Sequence, residues 1–185
     1  LAAHPNITGI KDSGGNIVQI SEVLAKAPAG FSVFAGSGSY LLATLMLGGV
    51  GGTLAVANVV PDYCAGIQEN FEKGDLEKAR KMQLALLPLN AAVTSRFGIG
   101  GMKAAMDMVG FKGGLPRLPI LPAGEETRKE IARILKELGI TGEAPGEDMI
   151  KAVAENILQW VRGDVPAIRQ GMEDYEKKVR ELSAQ

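Results

Sequence analysis

The chain has 185 residues, 46% hydrophobic and 22% charged, enough for one domain with a sizeable core. Its formal net charge of −1 excludes the basic footprint of a protein built to bind nucleic acid or an anionic membrane. The single cysteine, Cys64, excludes an internal disulfide framework and fits a reducing, cytoplasmic compartment.

The opening "LAAHPNITG" carries no methionine, and its first residues read like the end of a helix that Pro5 and Asn6 terminate. The expectation is the C-terminal part of a longer protein. Ile7–Asp12 then alternates as a strand, and the turn signal Asp12-Ser13-Gly14-Gly15 follows. A helix is predicted over Ile17–Ala27, where Ile17, Ile20, Val23 and Leu24 form a stripe. The second strand is Phe31–Ala35, closed by Gly36-Ser37-Gly38, and its helix is Tyr40–Leu47. The stretch Tyr40–Val60 comes nearest to a membrane span, but glycines interrupt it. The third strand is Gly52–Ala57, with a helix from Asp62 to Glu72 behind Pro61. Strands separated by helices predict parallel pairing with right-handed crossovers.

After Gly74 the rhythm changes to helices alone: Leu76–Leu87, Gly100–Val109 and Glu125–Leu138. Three prolines make Gly114–Pro122 an extended connection. Residues 141–148 read as a linker. Two more helix patterns follow, Met149–Val161 and Val165–Leu182, with Trp160, Val153, Ile157 and Val161 as an apolar stripe. That stripe suits a docking helix or an ordinary packed hairpin.

Lys11 stands at a strand end beside a loop, where parallel α/β folds place active sites. Desolvation there favours the neutral amine, which can attack a ketone and form an imine. The bland alternative is a lysine that snorkels to solvent. Gly36-Ser37-Gly38 allows close backbone approach, and Ser37 can cap the next helix; a tight turn explains it as well. Asn58, at the expected end of the third strand, serves a ligand or turns the chain. His4, the only histidine, lacks partners at metal spacing, so no metal site is expected. Cys64 reads as core, and so do Met102, Met106 and Met108.

Three segments together carry a resemblance: "HPNITGIKDSGGN", "FAGSGSYLLATLMLGGVGGTLAVANVVP" and "NAAVTSRFGIGGMKAAMDMVGFKGGLPRLPILP". From about residue 4 to residue 140 the chain resembles the C-terminal part of the dihydrodipicolinate synthase/N-acetylneuraminate lyase family. The 4-hydroxy-2-oxoglutarate aldolase branch looks nearest, on the "AVTSRFGI" stretch. The resemblance implies an α/β fold, the last three βα units of a (β/α)8 TIM barrel, over residues 1–74. Residues 75–140 would be the helical extension and 141–185 a linker and tail of unknown role. It makes Lys11 the imine-forming lysine of a class I, pyruvate-type aldolase or lyase, with Ser13, Gly36, Ser37 and Thr53 near a 2-oxo acid substrate. It implies no metal or organic cofactor, and a homo-oligomer in full-length form. The family's proton-shuttling tyrosine is matched by none of Tyr40, Tyr63 and Tyr175. A non-catalytic barrel piece acting as an interaction module is the rival expectation. A phosphate-binding α/β protein, resting only on the glycine turns, is a third.

Overall fold

The computed structural model describes residues 1–140. Strands β1 (Gly9–Asp12) and β2 (Ser32–Ala35) pair in parallel, Ile10 opposite Val33 and Lys11 opposite Phe34. Strand β3 is only Gly51–Gly52, parallel to Phe34 and Ala35. The sheet order is β1-β2-β3, so the outer edges of β1 and β3 have no strand partner among the described residues.

The first helix, α1 (Ile17–Lys26), starts where the Asn16 side chain accepts from the Val18 and Gln19 amides at 3.0 and 3.3 Å. Helix α2 (Leu41–Met46) buries Leu41, Leu42, Thr44 and Leu45, and α3 (Pro61–Glu72) opens on its proline. Asp75 caps α4 (Leu76–Ala91) by accepting from the Lys78 amide at 3.0 Å. A π-helical turn, Ala92–Arg96, leads into α5 (Gly98–Met108), and α6 (Glu125–Glu137) follows the extended, proline-rich connection.

Several expectations need correction. The first residues form turns rather than a helix end: the His4 amide donates to the Leu1 carbonyl at 2.9 Å. The third strand does not run to Ala57. It gives way to a 3-10 turn, Ala55–Asn58, because Val56, Val59 and Val60 recur at helical spacing and are all buried. Asn58 serves the chain, its Nδ2 donating to the Ala55 carbonyl at 2.9 Å. Helix α4 does not stop before Pro88. Proline leaves the Leu84 carbonyl without its helical donor, but Leu84 is 58% exposed and water reaches that turn. Burial of Leu86, Leu89, Ala92 and Val93 keeps the chain helical through it.

One core runs across the expected boundary at residue 74, joining Ala35, Leu41, Val56 and Ile67 to Leu86, Leu89, Ala92 and Ile131. Cys64 lies in it, and burial pushes its thiol up to about 12, so the sulfur stays protonated. Met102, Met106 and Met108 pack against the same core. No described helix is long and apolar enough to cross a membrane. The expected linker at 141–148, the helices 149–161 and 165–182, and the Trp160 stripe lie outside the described residues.

Glu130 on α6 ties that helix to the π-helical turn. Arg133 Nε donates to its carboxylate at 3.0 Å, and Arg96 Nη1 does so from the turn at 3.0 Å. The Arg133 and then the Arg96 hydrogen bonds hold the Glu130 carboxyl at about 2, below its ordinary 4.5. A carboxyl depressed in the folded state stabilises above its unfolded value, and that contribution is lost as pH falls through the folded value. Glu130→Gln should therefore flatten the acid dependence of stability between pH 4.5 and about 2, read from urea midpoints across that window. An unchanged slope would show that the cluster contributes nothing measurable, as many exposed ion pairs do.

Candidate functional site

Parallel pairing brings the C-terminal ends of the three strands to one side of the sheet. Lys11, Phe34 and Gly51 form one row across it. The following row is Asp12, Ala35 and Gly52. Beyond it, the Gly36 amide donates to the Asp12 carbonyl at 2.6 Å and the Thr53 amide to the Ala35 carbonyl at 2.8 Å. These equivalent bonds line up Ser13, Gly36 and Thr53 two residues past the Lys11 row and on its face. At a strand spacing of about 4.8 Å that row is roughly 10 Å wide. Lys11, Ser13, Gly36 and Thr53 thus converge. Ser37, one residue past the row, stands in the loop above it.

Glycine at position 36 is a steric requirement. A Cβ there would overlap Ser13 Oγ and the Asp12 carbonyl oxygen and lie 2.8 Å from Ser13 Cα. Asp12 shapes the adjoining loop, its Oδ1 accepting from the Gly14 amide at 2.9 Å. The Tyr40 hydroxyl donates to the Asp12 carbonyl at 2.9 Å. Burial, and then the Asp12 charge, raise the Tyr40 phenol above its ordinary value, which keeps it a donor. Sequence reasoning set Tyr40 aside; its one signal was an aromatic ring closing a loop of small residues.

Two expectations fail on contact with the geometry. Lys11 is exposed, not desolvated. The helices cover the other face of the sheet, where Val33 and Ala35 are 1% and 0% exposed, while Phe34 beside Lys11 stays outside the core. Ser37 does not cap α2. Its Oγ accepts from the Ser39 amide at 3.3 Å, and the α2 cap position, Tyr40, makes no side-chain cap bond. Gln83 of α4 does that work from outside, its Oε1 accepting from the Leu42 amide at 2.9 Å. His4 Nδ1 accepts from the Asn6 amide at 3.2 Å. Among the described residues no group of His, Cys, Asp or Glu is placed to share a metal ion.

The dihydrodipicolinate synthetase family model matches residues 1–138. The chain belongs to that family. It is 36% identical over 141 residues to the 4-hydroxy-tetrahydrodipicolinate synthase of Caldicellulosiruptor bescii, covering 76% of this chain and 48% of that protein. Dihydrodipicolinate synthase from Thermotoga maritima superposes with a TM-score of 0.67 at 32% identity, covering 75% of this chain and 48% of that one. YagE from Escherichia coli K12, a family member solved in complex with pyruvate, gives a TM-score of 0.66 at 25% identity, over 73% of this chain and 47% of that one. The chain spans about half the length of the curated relatives it matches. Those relatives carry the synthase name, whereas "AVTSRFGI" pointed toward the aldolase branch.

Gly36→Ala should force the Asp12–Ser13 backbone aside and cost about 1–3 kcal/mol. Gly124→Ala, where a Cβ meets nothing within 4 Å and only the preference for glycine at the α6 N-cap is lost, should cost less, at most about 1 kcal/mol. Urea denaturation of the two variants checks the contrast; equal losses would mean that the contact at Gly36 relaxes freely.

Proposed function

We propose that this chain carries the imine-forming half of a class I, pyruvate-type aldolase or lyase site, with Lys11 as the nucleophile. The observation that carries the reading is the alignment of Lys11 with the Ser13–Gly36–Thr53 row at the C-terminal ends of three parallel strands. Family membership supports it, as does the pyruvate complex of YagE. On this reading the strands are the sixth, seventh and eighth of a (β/α)8 barrel.

The Lys11 amine adds to the keto carbon of a 2-oxo acid, and loss of water leaves a protonated imine. That iminium accepts the electron pair when the neighbouring carbon loses a proton. The enamine so formed attacks an aldehyde, or in reverse the carbon–carbon bond breaks. The lysine is the electron sink, and neither a metal nor an organic cofactor enters these steps. In this reading the Ser13 hydroxyl donates to the acid's oxygens, while the Gly36 and Thr53 amides, already donating to the Asp12 and Ala35 carbonyls, border the site. The synthase name of the relatives favours condensation over the hydroxy-oxoglutarate cleavage that "AVTSRFGI" suggested. Lys11 is exposed, so in this reading its desolvation comes from surface that covers the open face of the sheet. The two strand edges, without strand partners among the described residues, favour association with further chain or a second copy.

Borohydride reduction with pyruvate, followed by intact mass and peptide mapping, tests the assignment on this chain and on the protein as its gene encodes it. The expected result is one stable adduct on Lys11, lost in Lys11→Ala. An adduct that survives Lys11→Ala removes Lys11 from the role.

A further inference from the structure

We propose that Asn90 and Gln83, both on α4, are positioning residues for the Lys11 site; this rests on the reading of Lys11 just given. The two stand seven residues apart, which puts them on one face of the helix, two turns from each other. Both reach the loop that closes β2. Gln83 Nε2 donates to the Gly38 carbonyl at 2.6 Å while its Oε1 accepts from the Leu42 amide. Asn90 Nδ2 donates to Ser37 Oγ at 3.2 Å and to Ser39 Oγ at 2.7 Å. Leu86 fills the space between them, and a Cβ on Gly38 would come within 3.3 Å of Leu86 Cδ2 and 2.9 Å of Asn90 Oδ1.

Packing alone does not account for an asparagine here. Asn90 is 2% exposed, and its Oδ1 has no hydrogen-bond partner among the described residues. A buried amide with one orphaned acceptor stabilises less than an apolar side chain of the same size. What the amide gains is a fixed loop. That loop carries the two donors that hold the Asp12 carbonyl, Gly36 N and Tyr40 Oη, and Asp12 follows Lys11 directly. The helical segment therefore sets the height and tilt of the strand end that presents the amine. The π-helical turn begins two residues after Asn90, and Thr94 Oγ1 donates to the Asn90 carbonyl at 2.5 Å, a departure from regular helix of the kind found next to functional positions.

The test uses the protein as its gene encodes it, with pyruvate and borohydride, in the variants Asn90→Ala, Ser39→Ala, the double variant, and Leu89→Ala as a core control. Ser39 is exposed, so its variant folds even where Asn90→Ala is fragile. Asn90→Ala should slow trapping at saturating pyruvate about tenfold, the scale of one lost hydrogen bond, with the half-saturating pyruvate concentration moved less than about twofold. Ser39→Ala should slow it in the same direction, and the double variant should add little beyond Asn90→Ala. Leu89→Ala should lower the melting temperature without a matching loss of trapping rate. Amide exchange at Gly36 should quicken in Asn90→Ala and not in Leu89→Ala. Trapping in the wild type with unchanged rates in Asn90→Ala and Ser39→Ala overturns the positioning role alone. Losses that track melting temperature across all variants also overturn it. Absence of trapping in the wild type overturns the Lys11 reading and this one with it.

Discussion

The Asp12 carbonyl accepts two hydrogen bonds, from the Gly36 amide at 2.6 Å and the Tyr40 hydroxyl at 2.9 Å, and the strand ends depend on that junction. It extends the parallel ladder one rung beyond the paired residues and so sets Ser13 against Gly36. It also explains the residue types around it. Position 36 must lack a side chain because the backbones meet there, and position 40 must reach across with a donor that stays protonated. Asp12 itself is 8% exposed, and its carboxylate is spent on the Gly14 amide, so one residue organises both the rung and the turn after it.

The sheet is sided. Val33 and Ala35 face helices and are buried, while Lys11 and Phe34 look out on the other side. This separates two physical tasks. The helix-facing side supplies the apolar burial that stabilises the parallel ladder, which is weaker per residue than an antiparallel one. The open side carries the polar groups. Residues 75–140 are not an appendage to this arrangement. Leu86, Leu89 and Ala92 of that segment lie in the same core as Leu41 and Ile67, and Gln83 satisfies an amide in the first turn of α2 that local sequence leaves without a cap.

What was legible in the sequence follows from which interactions are local. The order of strands and helices was readable because alternation and the 3.6-residue stripe are written within each element. So were the turn at Asp12–Gly15 and the buried Cys64. The third strand was misjudged because "GTLAVA" satisfies strand propensity, while the burial of Val56, Val59 and Val60 decides for a turn of helix. The end of α4 was misjudged because the proline rule is local and the burial that overrides it is not. In the candidate site, the residues were named from the family resemblance, but neither their alignment in a row nor its fastening was foreseen. Tyr40 reaches Asp12 across 28 positions, and Asn90 reaches Ser39 across 51; no spacing rule spans such distances.

The exposed Lys11 poses a thermodynamic question that the neighbouring residues help to answer. Covering an ammonium costs far more than one apolar contact returns, so a surface laid over Lys11 alone would not hold. Lys11 is not alone, however. Phe34 lies beside it outside the core. Burying a large apolar side chain stabilises by about 1.5–3 kcal/mol. Apolar area beside the amine therefore offsets part of the cost of covering it. Phe34 thus gives a covering surface an apolar foothold beside Lys11, and that surface must supply the rest.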